Sequence, residues 1–584
     1  MPSNLDKHSI STSLRTFRFK AYFFQSGIFL LLVLATITIN WRMIHEGLFF
    51  YSHDILIHIT WLQHFSKELS EGIWYPRWLA GTNFGYGSPS FVFYPPLVYY
   101  IGSALKLSGL NIESTMIVLF TFPCFGAGLS FYIYGQNRWG RTASLLGALA
   151  YMTAPYLTLN VSHRGALAET WALIWIPLGL WLTDRAIQCS RWRVTLAIFF
   201  TILALTHVPS LLICTIFWLI YTFCCLLNQS WKSVAITIGY PMIGFGIASP
   251  YLLPAILEKH LVQIDTMREV SGGFKANFIA IHLSSKWTFT QGLIRPVFIY
   301  EILVAVVFMS IALFFYRQDS ARIKEIFCWI FFLLILSFLM NQYSTLLWQS
   351  SQTLQMIQFP WRLLGLFSFG GAALCGIAVS GINKSKTHHK TFFLLLIITC
   401  VIFNTIFDYR LSLKKPTLSN PGKEILSKAY IQTQKALYDA YTNKLIDTEE
   451  YLPIIHNGYS TPAPVVGQPS ISLVSGKASI QINRWASYNR IFNVIVEESS
   501  LIKVRTYYYP AWHLYINNNP HPIGVSSDGT IELRLEPGSY YVELNYFWTF
   551  AFTMGVIISS FSIIYLIFFL NKNFKTKINF SPKN

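Results

Sequence analysis

The sequence predicts a polytopic all-α membrane protein of about 12–13 transmembrane helices, with a C-terminal β-sandwich domain outside the membrane and a final transmembrane helix. Three observations predict it. Of 584 residues, 53% are hydrophobic and only 12% charged, against about 25% charged in a soluble domain. Long apolar runs recur, for example at 21–40, 142–158, 194–205 and 552–570, and a helix needs roughly 20 apolar residues to cross the hydrocarbon core. Between 468 and 546 the pattern changes to β-branched and aromatic runs separated by turn clusters such as NNNPHP and EPGS.

The first elements follow from charge. A polar N-terminal stretch carries Lys7, Arg15, Arg18 and Lys20, and the apolar run behind it has no small-residue cleavage site. It therefore reads as a retained first span. Further basic stretches lie at 137–141, 184–193, 317–324, 383–390 and 571–580. Placing all of them in the cytoplasm under the positive-inside rule gives an alternating topology in the cytoplasmic membrane, with the N-terminus inside. The formal net charge of +18 is explained by these loops, so no nucleic-acid partner is expected.

Residues 41–92 then form the first external loop. Within it Ile55, Ile59, Leu62, Phe65 and Leu69 recur at helical spacing, which predicts an amphipathic helix over 54–69 lying along the membrane surface and ended by Gly72. GTNFGYGSPS at 81–90 is a loop whose glycines allow close backbone approach to a ligand. FYPPLVYYIGSALKL at 93–107 opens on two prolines and is short for a span. The expectation is a helix dipping into the protein without crossing; a full crossing with a kink near 206–210 stays open. Spans follow near 112–134, 142–158, 168–183, 194–208, 210–228, 233–253, 294–316, 326–340, 363–381 and 391–407. The transmembrane domain thus covers 1–408. Residues 409–546 read as a polar helical linker to 460 and the extracytoplasmic β-sandwich, and 547–584 as the last span with a basic tail.

The cysteines all fall in spans or cytoplasmic loops and form no Cys-x-x-Cys pair, so neither a disulfide framework nor a zinc site is expected. No Gly-rich phosphate cradle follows a strand, and neither a Gly-x-Ser-x-Gly elbow nor a His-Glu-x-x-His helix is present. What the topology does collect on the external side is ionisable groups. Asp54, Arg77, His163, Arg164, Glu169, Glu258 and Arg362 lie at span ends or in loops there, with His53 and His58 flanking Asp54. A solvated loop charge is the plain reading of any one of them. Convergence of Asp54, Arg164, Glu169, Glu258 and Arg362 from separate segments of the chain argues instead for a site. Carboxylates serve there as general bases or cation ligands, and arginines grip phosphate.

In order along the chain, the HD…H pair of motifs at 53–58, PRW and GYGSPSFVFYPPLVYY, then SHRGALAE, LTHVPS, SPYLLPAILEK, QFPWRLL and EYLP closely resemble the bacterial 6-pyruvoyl-tetrahydropterin-synthase-related integral membrane proteins. That label implies no pterin chemistry, because the soluble enzyme uses a three-histidine zinc site and nothing here is similar to one. More distantly, the plan resembles the type C (GT-C) membrane glycosyltransferases: oligosaccharyltransferase subunits, protein O-mannosyltransferases and the lipid A aminoarabinose transferase. The shared features are an early aspartate in the first external loop, horizontal helices after it, a Pro-Pro-Leu-like segment and a soluble C-terminal domain. By this resemblance Asp54 matches the first-loop acid and Glu169 the place of a second acidic pair. A single glutamate stands where those enzymes carry Asp-x-Asp or Asp-x-Glu.

The resemblance implies a transferase that moves a sugar from a polyprenyl-phosphate donor to an envelope glycan, lipid or protein acceptor at the outer face. Asp54 would take the acceptor proton or, with Glu169, hold a divalent cation (magnesium or manganese). Arg77, Arg164 and Arg362 would neutralise the leaving phosphate, Glu169 or Glu258 would orient sugar hydroxyls, and His53, His58 and His163 are subsidiary candidates. The alternative is a non-enzymatic lipid-linked glycan flippase or envelope-assembly scaffold. Such a path calls for ionisable groups at mid-span depth, and Glu301 is the main one.

Overall fold

The computed structural model describes residues 26–48, 52–225, 229–269, 272–279, 289–385, 389–413, 447–455 and 465–578. The expected linker therefore lies largely outside the described residues. In chain order the main helices are α1 (Ser26–Ile39), α2 (Ile55–Ser70), α3 (Leu97–Leu107), α4 (Ile112–Trp139), α5 (Arg141–Met152), α6 (Leu167–Gln188), α7 (Arg191–Ala204) and α8 (Val208–Cys225). They continue as α9 (Trp231–Ile247), α10 (Ser249–Leu257), α11 (Arg295–Tyr316), α12 (Ser320–Leu339), α13 (Leu364–Lys384), α14 (Lys390–Leu413) and α15 (Phe550–Ile578). Among the described residues, five helices are long and apolar enough to cross a membrane, or seven if each of two bent pairs is one span.

The bends are where hydropathy alone misleads. The expected span at 142–158 stops at Met152, and Pro155, which has no N–H to donate, begins a separate turn, Pro155–Leu159. The expected span at 233–253 turns by 76° between α9 and α10; the expected span at 326–340 instead ends where α12 does, and the chain turns there by 80° into Gln342–Gln349. Helix α3 has 11 residues and rises about 16 Å, roughly half a hydrocarbon core, so by itself it does not cross. It packs instead against α2, the helix expected along 54–69.

Helix α13 is the centre of the bundle. Its apolar window is 94% buried, and it packs on α5, α11 and α12. The run GGAALCGIAVSG lets backbones approach where large side chains would not fit. A Cβ at Gly376 would meet the Trp139 ring at 2.6 Å. The last helix, α15, returns along α9 and α10: Ser249 donates to the Gly555 carbonyl at 2.7 Å and Ser559 to that of Ile247 at 2.9 Å.

The C-terminal strands are β1 (Ile471–Trp485), β2 (Asn489–Tyr507), β3 (Trp512–Ile516), β4 (Asn519–His521), β5 (Gly524–Val525), β6 (Thr530–Leu535) and β7 (Gly538–Tyr546). Where the sequence suggests a sandwich, all seven join one antiparallel sheet in the order β4-β3-β7-β2-β6-β5, with β1 along β2. Strand β2 is shared by two halves. Its residues 489–496 pair with β7, and 500–507 with β6. Strand β1 is largely exposed, so it carries little hydrophobic alternation for the sequence to reveal. The sheet docks on the first loop: the Tyr507 N–H donates to the Tyr86 carbonyl, the Trp78 N–H donates to the Tyr488 hydroxyl at 2.8 Å, and the Trp78 and Trp512 rings meet edge to face at 5.7 Å.

Candidate functional site

The site is built around one tight reversal. After Pro155–Leu159 the chain winds through a π-helical turn, Asn160–Arg164, then Gly165 at φ +63°, and enters α6. Gly165 is required twice over. Its φ is left-handed, and a Cβ there would meet Ser52 Oγ at 2.8 Å and the Ile55 nitrogen at 2.9 Å. The close approach seats the start of α2 on the reversal: the Asp54 N–H donates to the Arg164 carbonyl at 2.9 Å and the His53 N–H to that of His163 at 3.1 Å.

Glu169, in the first turn of α6, is the hub. Arg164 Nη1 lies 2.8 Å from its Oε2, and Arg362 Nε, from the short turn before α13, lies 3.1 Å from the same oxygen. The Tyr156 hydroxyl donates to Oε1. Arg164 also donates to Asn160 Oδ1 at 2.6 Å and covers the Trp361 ring at 4.6 Å, while Arg362 donates to the Ile357 carbonyl at 2.8 Å. Glu169 and Arg164 are each 4% exposed. Buried charges persist only when paired, and here two cations share one anion. Burial works against the Arg164 charge, but Glu169, Tyr156 and Asp54 outweigh it and raise its pKa. The half-buried Asp54 interacts electrostatically with Arg164, Arg362 and Tyr94.

Of the expected residues, the structure therefore brings Asp54, Arg164, Glu169 and Arg362 together. His58, one turn beyond Asp54, places Nδ1 2.6 Å from the Tyr99 hydroxyl, and burial lowers its pKa to about 3. His163 is buried with Nδ1 2.8 Å from Ser162 Oγ, and the exposed His53 lies 4.8 Å from the Phe289 ring. Glu258 and Arg77 sit elsewhere. Glu258 accepts from the Tyr509 hydroxyl at 2.5 Å, and Arg77 donates to the Phe547 carbonyl and covers the Phe552 ring at 4.0 Å. Both join the helical part to the sheet domain and its following helix. Trp512 and Tyr507 are buried core at the same seam.

Tyr156 and Trp361 complete the hub and were not singled out from the sequence, where each is one of many aromatics beside an apolar run. The divalent-cation option does not fit the donor set around Glu169, because two guanidiniums already face that carboxylate. Among the described residues no group of three His, Cys, Asp or Glu side chains is placed to hold a metal ion. Glu301 is accounted for by Ser368, which donates to it at 2.9 Å, and by the Tyr156 N–H at 3.2 Å.

A large apolar cavity of about 1960 Å³ runs between α8 and α12, about twice the upper end of the roughly 300–1,000 Å³ of a small-molecule pocket. One end carries Arg138, Asp184, Arg185 and Lys324; the other is walled by Trp348, Leu354, Ile357 and Leu363. Ile357 and Leu363 flank Arg362, so this end adjoins the hub.

A buried Arg–Glu–Arg hub inside an apolar helical bundle, with a sheet domain docked on its first loop, defines an integral membrane protein with an internal charged site. The chain belongs to the 6-pyruvoyl-tetrahydropterin synthase related family of membrane proteins, whose profile matches residues 91–413. Arg164, Glu169 and Arg362 lie inside that match; Asp54 and the sheet domain lie outside it. No curated protein matches the chain in sequence. The solved structures similar in outline include the following two. The Archaeoglobus fulgidus oligosaccharyltransferase, in a complex with zinc and sulfate, is 15% identical with a TM-score of 0.41, over 74% of this chain and 59% of its own. ArnT from Cupriavidus metallidurans, bound to undecaprenyl phosphate, is 10% identical with a TM-score of 0.39, over 72% and 75%. The chain thus spans about six-tenths of the oligosaccharyltransferase's length, and likenesses at these scores carry no argument about chemistry.

Proposed function

We propose that this protein is a membrane glycosyltransferase that moves a sugar from a polyprenyl-phosphate donor to an acceptor hydroxyl at the outer face of the cytoplasmic membrane. The observation that carries the reading is the pairing of two buried arginines that share a single glutamate with an apolar cavity large enough for a lipid tail. Arg164 and Arg362 are balanced by Glu169 and by Asp54, which acts electrostatically on both, so the site gains one unit of positive charge only as Asp54 takes up the acceptor proton, when the leaving phosphate gains its negative charge. In a lipid-linked sugar that phosphate is a diester carrying one negative charge.

The acceptor oxygen attacks the anomeric carbon, the bond from that carbon to the phosphate oxygen breaks, and the electron pair leaves with the polyprenyl phosphate. Negative charge therefore grows on the phosphate, where Arg164 and Arg362 are already fixed. Fixed, desolvated cations stabilise such a developing charge without reorganising. Asp54 accepts the proton lost by the acceptor. Glu169 acts as the positioning counter-ion, with Tyr156 and Asn160 fixing the reversal.

The test is release of polyprenyl phosphate from a labelled polyprenyl-phosphate sugar by the purified protein. The wild type should release it. Asp54→Asn should not, while inserting and folding normally. Undiminished release by Asp54→Asn would remove the base from this scheme.

A further inference from the structure

The cavity between α8 and α12 is charged at both ends, of which sugar transfer engages only the hub. Its lining follows α12 from Ser320 to Leu339, a rise of about 29 Å, close to the roughly 30 Å of a hydrocarbon core. The groove therefore has the depth of both leaflets. Its middle is walled by Ile213, Phe217 and Ile220 of α8 and by Phe331, Ile335 and Leu336 of α12. Among the described residues no ionisable side chain lines that stretch, so a head group finds no path through it. A charged ligand is held at one end or the other.

At the end away from the hub, cations outnumber acids. Asp184 is engaged by Arg138, whose Nη2 lies 2.5 Å from Oδ2, and by the Tyr221 hydroxyl, which donates to Oδ1 at 2.6 Å. Glu325 is engaged by Arg322 and by Trp139 Nε1, which donates to it at 3.0 Å. That leaves Arg185 of α6, whose guanidinium covers the Trp181 ring at 5.6 Å, and Lys324, near the start of α12. Both line the cavity, and among the described residues neither has an acid partner. Trp181 and Arg138 line the same end, and the Nε1–H of the first and the Nε–H of the second are buried donors without an acceptor. Unmet donors in apolar surroundings are costly, and two uncompensated cations beside them select an anion.

An occupant has to satisfy both parts of this description, with hydrocarbon for the walls and an anionic group for the end. We infer that the groove binds an anionic phospholipid from the leaflet opposite the hub, the cytoplasmic one by the charge of its loops. Arg185 and Lys324 hold the head-group phosphate, and the acyl chains lie along the apolar wall toward Cys328. The hub end stays open to a second lipid tail. Lipid at the basic end requires no transferase activity.

The test is binding of dioleoylphosphatidylglycerol and dioleoylphosphatidylcholine, which share their chains and differ in head-group charge, to the full-length protein in dodecyl maltoside micelles. Wild type should prefer phosphatidylglycerol by at least about tenfold, the worth of one charge-assisted hydrogen bond. Arg185→Gln/Lys324→Gln should bring the preference within about threefold while its melting curve in detergent stays that of wild type, and each single variant should fall between. Arg191→Gln/Arg317→Gln removes the same charge from neighbouring loops outside the cavity and should leave the preference intact. Bound phosphatidylglycerol should slow maleimide labelling of Cys224 and Cys328, exposed cysteines of the cavity wall, and not that of the exposed Cys189, which lies outside it. Equal affinity for the two lipids in wild type would overturn the proposal. So would a preference that survives loss of Arg185 and Lys324, one that falls equally with the control pair, or unprotected Cys224 and Cys328. Displacement of phosphatidylglycerol by inorganic phosphate would mark a soluble-anion site instead, and displacement by equimolar polyprenyl phosphate a donor site; either result also overturns it.

Discussion

Replacing Glu169 by glutamine keeps the shape of the hub and removes its only carboxylate contact. The amide oxygen still accepts from Tyr156, but Arg164 and Arg362 lose the anion now 2.8 and 3.1 Å away. Coulomb's law at about 3 Å and an effective dielectric of about 20 gives roughly 5 kcal/mol per pair. Part of that is offset by the desolvation the carboxylate no longer suffers. Breaking a buried ion pair on one side costs about 3–5 kcal/mol in measured cases, and the same size is expected here. Equilibrium unfolding in mixed detergent micelles, followed by tryptophan fluorescence, reads this directly. The double variant Glu169→Gln/Arg362→Gln removes one of the stranded cations, so it should be more stable than the sum of the single effects, by about 1–3 kcal/mol. A Glu169→Gln protein within about 0.5 kcal/mol of wild type, the size of a surface substitution, would refute the hub as described. So would strict additivity of the double variant.

Three further outcomes follow from the same structure. Gly165→Ala meets both a left-handed φ and a 2.8 Å contact with Ser52, so donor binding and thermal stability should both fall; an unchanged melting curve would show that the reversal tolerates a side chain. Asp447→Ala leaves the Trp61 indole and the Ser90 hydroxyl without their acceptor, at about 1–3 kcal/mol for each buried donor; added protease should then cut within 447–455 at a rate wild type does not show. Asp528 is held at about 2, below its ordinary 3.8, because Lys503, Ser526 and Thr530 outweigh the upward pull of burial. Its stabilisation is complete above about pH 4 and lost as pH falls through 2, so Asp528→Asn should flatten the acid limb of sheet-domain unfolding.

Much of this arrangement was legible in local pattern. The spacing of Ile55, Ile59, Leu62 and Phe65 gives α2, the strand runs after 489 give the sheet, and positive loops bring SHRGALAE and QFPWR to one side. That last inference gathers Asp54, Arg77, Arg164, Glu169, Glu258 and Arg362 on one side, without separating the four that the structure brings together from the two that it does not. Pairing within that group was not legible. Glu258 and Arg77 carry the same charge and loop position as Glu169 and Arg362, and they differ only in facing Tyr509 and Phe552, a consequence of how the sheet domain docks. The bend after Ile247 was hidden because apolar residues continue across it, whereas Asn341 and Gln342 mark the end of the span before the bend after Leu339. Pro155 was readable as a break, but the apolar run around it masks the signal. Asp447 illustrates the hardest case, since its partners Trp61, Asn83 and Ser90 lie more than 350 residues away in the chain.

The most direct measurement is the equilibrium affinity of the purified protein for polyprenyl phosphate and for the matching uncharged polyprenol. If the hub is a lipid-phosphate site, wild type should prefer the phosphate by at least about tenfold, and Arg362→Gln or Arg164→Gln should abolish that preference while leaving polyprenol binding unchanged. Equal affinity for the two lipids in wild type, or a preference that survives the loss of either arginine, would contradict it.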